Sequence, residues 1–308
     1  MGADASRELE GGQVKIAYKN CPLRAEGLKV VDQANDIIKE YQKQGFTLTL
    51  RQLYYQFVAR ELIPNNMRSY KRLGTIIDEG RLGGLIDWEA IEDRTRELSK
   101  LATWDSPAEI VEACANQFRI DLWATQPYHV EVWVEKEALA GVVETACNKW
   151  QVPFLSCRGY TSQSEMWRGG RRLLQYYEEG KKVLILHLGD HDPSGIDMSR
   201  DIQNRLSMFM EGNTLRFIRM ALNMDQIKKF RPPPNPAKAT DSRFAAYQNK
   251  FGDKSWELDA LEPKVITGLI SSYIRPRINR KAWRIAKAEE GKGKDALQEV
   301  VADLKETK

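Results

Sequence analysis

The sequence predicts an α/β protein: a mostly helical N-terminal domain followed by a domain built on a parallel sheet. Three observations carry this. Apolar strand candidates at Val130–Val134, Pro153–Cys157 and 183–186 alternate with helix-length segments, the β-α-β-α-β order of a parallel sheet with crossovers on its faces. Before residue 120 the periodicity is almost wholly helical. Finally, Gly189, Pro193 and Gly195 punctuate a tight exit from the third strand into a helix, the kind of strand end where open α/β sheets bind ligands.

Composition bounds the rest. The chain has 308 residues, 42% hydrophobic and 29% charged, enough to bury a core and to make two domains. No apolar run is long enough to span a bilayer and no signal peptide is evident, so no membrane association and a cytoplasmic, nucleoid-associated location are expected. Cys21, Cys114, Cys147 and Cys157 lack Cys-x-x-Cys spacing, which argues against a zinc site or a disulfide framework. The net charge of +4 is compatible with nucleic acid without establishing it.

Taken in order, residues 1–20 lack periodicity and read as a flexible tail. A helix over 26–44 carries Leu28, Val31, Ala34, Ile37 and Ile38 at helical spacing and stops at Gly45. Thr49 and Gln52 form a capping-box pattern that starts the next helix. On it Leu50, Leu53, Tyr54, Phe57 and Val58 form the apolar stripe, so Tyr54 is a core aromatic. Tyr55 falls off that stripe, with Arg51 one turn earlier on the same face. Alone, this is an ordinary surface pair. The segment 65–77 reads as an Asn-capped helix with Arg68, Lys71 and Arg72 in its first turns, either a DNA-contacting helix or a solvated face. Ser106-Pro107 opens a linker helix reaching about Phe118.

In the sheet domain Val130, Val132 and Val134 alternate toward Glu135. A helix is expected from about Ala138 to Trp150, then the strand 153–157, then a helix over 163–177. The third strand runs into Gly189-Asp190-His191-Asp192-Pro193-Ser194-Gly195. Asp-x-Asp alone reads more readily as a helix-capping turn than as a metal site. Two acid-ended strands in one parallel sheet strengthen the metal reading: Glu135, Asp190 and Asp192 would supply hard oxygen ligands for Mg2+, with Mn2+ as a substitute. Further on, a helix over 194–210, a strand over 214–222 and an irregular Pro-rich stretch at 232–236 follow, the last either near a DNA path or at a dimer contact. His129, His187 and His191 lack ligand partners at convincing spacing and are placed outside the metal shell.

A strand-end Glu followed by a downstream strand-end Asp-x-Asp resembles the Toprim domain of topoisomerases, primases and related nucleases. Gly159-Tyr160 and Asp192-Pro193-Ser194-Gly195 look most like the A subunit of topoisomerase VI and its meiotic double-strand-break relatives, in a compact form, over roughly residues 45–270. That family carries a winged-helix domain with an Arg-x-Leu/Ile-aromatic-Tyr motif, which Arg51-Gln52-Leu53-Tyr54-Tyr55 matches. The resemblance implies a division into a tail (1–20), a winged-helix DNA-binding domain with the nucleophilic tyrosine (21–105), a linker helix (106–128), a Toprim metal-binding domain (129–275) and a basic C-terminal extension (276–308). Gly80–Ile86 and Ala90–Arg96 would supply the wing.

It also implies that Tyr55 attacks a DNA phosphodiester, that Arg51 binds the same phosphate, and that the protein is a homodimer in which the tyrosine of one subunit works with the metals of the other. Glu257 and Asp259, in a segment resembling the closing element of Toprim proteins, are further candidates near the metals. No phosphate-binding loop is evident, so strand passage would need a separate ATPase subunit of the GHKL type. Thr161-Ser162 follow Gly159-Tyr160 where some relatives carry an acid. Two other readings stay open: a Toprim nuclease that hydrolyses double-stranded DNA without a covalent link, and a non-catalytic DNA-binding protein. The Arg275–Lys287 stretch, with Trp283 interleaved, is either a phosphate-contacting arm or a solvated helix.

Overall fold

The computed structural model describes residues 14–92 and 101–306. In the N-terminal part, α1 (Ala25–Gln42), α2 (Leu50–Ala59) and α3 (Met67–Leu82) pack around one core. The expected stripe of α1 is buried from Val31 onward, but Leu28 is exposed. The capping box of α2 is present in both directions: the Gln52 amide donates to Thr49 Oγ1 at 3.2 Å and the Thr49 amide to Gln52 Oε1 at 2.8 Å. Asn66 caps α3 by accepting from the Ser69 amide at 2.9 Å.

Two expectations for this region differ from the structure. Tyr55 is buried, at 4% exposure, and not on a free face. The stripe argument assumed one covered face, whereas α2 has two: the 3-10 turn Leu258–Ala260 packs on its other side, and Ala260 belongs to the same apolar core. Secondly, the glycine-rich stretch expected to open a wing begins inside α3, where a Cβ at Gly80 would press to 3.0 Å from Ile86 Cδ1. Residues 83–92 instead make single bridges, Gly83 to Ala17 and Ile91 to Leu48, and residues 93–96 of the expected wing lie outside the described residues.

From the linker onward come α4 (Pro107–Gln117), β1 (Tyr128–Val134), α5 (Ala140–Trp150), β2 (Phe154–Ser156), α6 (Gln163–Glu178), β3 (Lys182–Leu188), α7 (Pro193–Phe209) and β4 (Leu215–Ala221). These four strands form one parallel sheet in the order β2-β1-β3-β4, a mixed α/β fold. Alternation along the strands divides the core. Val130, Val132, Val134, Leu184 and Leu186 face α5 and α10 (Pro263–Ile274), while Trp133, Val183 and Ile185 face α6 and α7. Both faces of β3 are therefore covered, which is why it reads as a continuous apolar run.

Between β4 and α10 lie α8 (Met224–Phe230), the short ribbon of β5 (Asn235–Pro236) with β6 (Lys254–Ser255), and α9 (Phe244–Phe251). The Pro-rich stretch packs within the chain: Asn65 donates to Asn235 Oδ1 at 2.6 Å. The last helix, α11 (Arg280–Glu306), lies against α4. Among the described residues no helix is long and apolar enough to cross a membrane.

Candidate active site

Parallel pairing of β1 with β3 in register Val134 to Leu188 delivers Glu135 and the Gly189–Asp192 loop to the same sheet edge. Glu135 Oε2 accepts the Asp190 amide at 2.9 Å. That approach depends on missing side chains: a Cβ at Gly189 would stand 2.8 Å from Glu135 Oε2, and one at Gly195 2.3 Å from the Asp190 carbonyl oxygen. Asp190 is buried, its Oδ1 accepting from the Leu258 amide at 2.7 Å and its Oδ2 facing Lys136 Nζ at 2.9 Å. Asp192 is the N-cap of α7, accepting from the Gly195 amide at 2.6 Å, and Pro193 at the first helical position fits that role.

Lys136 extends the cluster. Its ammonium also pairs with Asp259 Oδ1 at 3.1 Å and with Glu257. Those two carboxylates reach across to α2: Arg51 Nε donates to Asp259 Oδ2 at 2.7 Å and Arg51 Nη2 to Glu257 Oε2 at 3.0 Å. The same Nη2 lies 3.4 Å from the Tyr55 hydroxyl. One chain of polar contacts thus runs from Tyr55 through Arg51, the Glu257/Asp259 pair, Lys136 and Asp190 to Glu135. Beneath the loop, Arg219 on β4 donates to the carbonyls of Gly189 and Gly195 at 3.1 Å each, and to Ser199.

Burial sets the electrostatics. It raises the Asp190 carboxyl well above its ordinary value, with the charges of Glu135, Glu257 and Asp259 pushing the same way against Lys136. Glu135 is raised by burial too, and by Asp192, against the Asp190 amide and the Lys136 and Arg219 charges. Burial opposes ionisation of Glu257, yet Lys136 and Arg51 prevail and hold it at about 2. Burial lowers Arg219 to about 10 although Glu135, Asp190 and Asp192 favour its charge. The Tyr55 phenol is raised above its usual range by burial first, then by Glu257 and Asp259; Arg51 and Lys136 only partly offset this.

The structure thus links Glu135, Asp190, Arg51 and Tyr55 through one run of polar contacts, with Asp192 on the same loop but turned to cap α7. Arg68, Lys71 and Arg72 are exposed on α3, with Arg72 pairing Glu26 at 2.8 Å. Sequence reasoning passed over Lys136 and Arg219. Lys136 directly follows the strand-end glutamate, a signal open to reading; Arg219 sits in an amphipathic-looking strand, half-buried, and nothing local marks it as reaching the Gly189–Gly195 loop. The histidines stand apart from the cluster: His187 Nδ1 meets Ser199 Oγ at 3.1 Å, His191 Nδ1 meets the Tyr247 hydroxyl at 2.8 Å, and His129 pairs with Glu131.

The donor set at this strand edge is one for a hard divalent cation. All three expected ligands are hard carboxylate oxygens, a chemistry that suits magnesium, and Glu135 Oε1 has no donor among the described residues. In the arrangement present, Asp190 is engaged by Lys136 and Asp192 by the α7 amides, and among the described residues no three acidic, histidine or cysteine side chains stand together as a formed ligand sphere. The chain matches no protein-family model, no curated protein and no solved structure.

Proposed function

We propose that the chain is a DNA-cleaving transesterase, built as a winged-helix domain ahead of a Toprim domain and similar to the A subunit of topoisomerase VI. The observation that carries this reading is the polar chain joining the Tyr55 hydroxyl, through Arg51 and the Glu257/Asp259 pair, to Lys136 and Asp190. A nucleophile, a phosphate-binding guanidinium and a carboxylate cluster at a strand edge are what phosphoryl transfer to a tyrosine needs.

In this mechanism the Tyr55 oxygen forms a bond to phosphorus while the bond to one deoxyribose oxygen breaks, and the phenolic proton is passed through solvent to that leaving oxygen. Reversal reseals the strand. Arg51 neutralises phosphate charge in the transition state. Glu135, Asp190 and Asp192 would hold Mg2+, or Mn2+ in its place, which supplies Lewis-acid stabilisation of the phosphate oxygens when bound. Because burial, and after it Glu257 and Asp259, disfavour phenolate, substrate binding would have to open the surroundings of Tyr55 before it ionises. Arg68, Lys71 and Arg72 would contact the backbone of double-stranded DNA. In this reading Tyr55 works with the carboxylates of its own chain, a departure from the between-subunit arrangement that the resemblance implies; a homodimer would cut both strands, and strand passage would require a separate GHKL-type ATPase.

One observation favours a second reading. Tyr55 is buried and its phenol is held protonated, which suits a metal-dependent nuclease in which water attacks and Tyr55 is structural. Covalent capture separates the two. Denaturing the protein after incubation with end-labelled DNA and magnesium leaves label on the wild type and none on Tyr55→Phe if the tyrosine attacks. Equal, label-free cutting by both proteins would overturn the transesterase.

A further inference from the structure

At the opposite edge of the sheet from the acidic cluster, a groove of about 570 Å³ is lined by Trp150, Arg275, Ile278, Arg280, Trp283 and Arg284. Trp150 ends α5, a helix of 11 residues and about 16 Å whose first turn follows the strand end that carries Glu135, so the groove lies at the far end of that helix from the cluster. We propose that this groove binds single-stranded DNA, stacking an unpaired base on the tryptophans and holding the flanking phosphates with Arg275, Arg280 and Arg284.

Charge argues for the phosphates. From Pro263 to Ala288 the sequence contains Lys264, Arg275, Arg277, Arg280, Lys281, Arg284 and Lys287 and no acidic residue. Some exposed arginines, such as Arg158, Arg168 and Arg171, lie within 3.3 Å of a carboxylate, while Arg24, Arg68, Arg216 and Arg231 do not among the described residues; Arg275, Arg280 and Arg284 differ from these in lining one concavity together. The side chains of Arg275, Arg280 and Arg284 are exposed and make no ion pair or hydrogen bond among the described residues. Three unpaired guanidiniums around one concavity form an anion site. The α11 N-terminus, capped by Asn279 at the Lys281 and Ala282 amides, adds the positive end of a 27-residue helix beside them.

The aromatic rings argue for a base. Trp150 and Trp283 have centroids 6.4 Å apart and planes tilted by 53°, too open to stack on each other. Each is half-buried and fixed from behind. Trp150 Nε1 donates to Ser271 Oγ at 3.0 Å, and Trp283 packs edge-on to Trp123 at 5.8 Å, whose indole in turn donates to the Trp150 carbonyl at 2.7 Å. Rigid, half-exposed indoles beside unpaired arginines are the combination that binds single strands without reading sequence. A duplex offers no free base face except at its ends, so the groove favours unpaired DNA.

The site stands whether or not Tyr55 attacks DNA, and its test uses the full chain carrying Tyr55→Phe. Fluorescence anisotropy of 5′-fluorescein-labelled (dT)12 is measured against salt for that protein and for the same protein with Arg280→Gln and Arg284→Gln, both exposed. The double substitution should weaken binding at least tenfold and reduce the salt slope by about 1.4, two single-strand phosphate contacts, with an unchanged circular-dichroism melt. An abasic 12-mer should bind the unsubstituted groove at least fivefold more weakly than (dT)12, and a blunt 12-bp duplex should not outcompete it. Inorganic phosphate competing as well as dTMP, equal affinity for the abasic strand, or no change on removing both arginines would overturn the proposal.

Discussion

Arg51 and Asp259 are 208 residues apart in sequence and joined by a 2.7 Å hydrogen bond from Nε to Oδ2. Asp259 has no exposed side-chain surface, whereas Arg51 retains 42%. The half-exposed guanidinium therefore tethers the helical N-terminal part to the sheet part, while Lys136 neutralises the same carboxylate from below.

Substitution Arg51→Ala should destabilise the protein by only about 1 kcal/mol, because the pair is partly screened on the Arg51 side and Lys136 remains. Urea unfolding measures this directly. A loss above ~4 kcal/mol would mean that Lys136 alone cannot hold Asp259 and Glu257 in place.

Tyr55→Phe should leave stability within about 0.5 kcal/mol of wild type, since the hydroxyl makes only the 3.4 Å contact to Arg51 and the ring stays packed against Tyr54. Its effect should fall on covalent DNA capture. A large stability loss with capture intact would assign Tyr55 to the core alone.

Gly195→Ala should cost about 2–4 kcal/mol, or displace the Asp190–Asp192 loop, because the new methyl meets backbone that cannot rotate away. Gly291 supplies the contrast: a Cβ there meets nothing within 4 Å in the middle of α11, so Gly291→Ala should stabilise by about 0.5–1 kcal/mol. Thermal melts of both variants test the pair, and the reverse order would show that the loop yields freely.

Glu131 predicts part of the acid limit. Burial pushes its carboxyl up, but hydrogen bonds from Arg172, His129 and Trp133 outweigh it and hold the group at about 2. A depressed carboxyl contributes stability that is complete above its unfolded value and disappears as pH falls through the folded one. The wild type should therefore lose stability between about pH 4.3 and pH 2, and Glu131→Gln should flatten that part of the curve while being less stable at pH 7. Parallel acid curves for the two proteins would contradict this.

Much of the sheet part was legible because both signals it depends on are local. Strand periodicity located β1 and β3, and their acid-ended termini pointed to one edge, as the 2.9 Å contact of Glu135 with the Asp190 amide bears out. Helix starts at Thr49, Asn66 and Ser106 were equally plain, since a cap is written in three or four residues. What escaped was long-range. The burial of Tyr55 depends on a turn 200 residues later, and the role of Arg219 on a loop from a neighbouring strand. Neither leaves a trace in its own helix or strand. Trp283, read as part of a phosphate-contacting arm or a solvated helix, has its back against Trp123, a partner 160 residues upstream.

Helices α4 and α11 run antiparallel, with Lys305 reaching Glu112 at 2.8 Å near one end and Gly293 seated on Phe118 at the other. Pro107 and Glu306 consequently sit at the same end of the pair. A force applied between them does not shear the pair but peels it, one helical turn after another, and the parallel sheet carries no load until the peeling has run its length. The pair is a mechanical fuse: it gives way at low force and leaves the strand edge with Glu135 and Asp190 untouched.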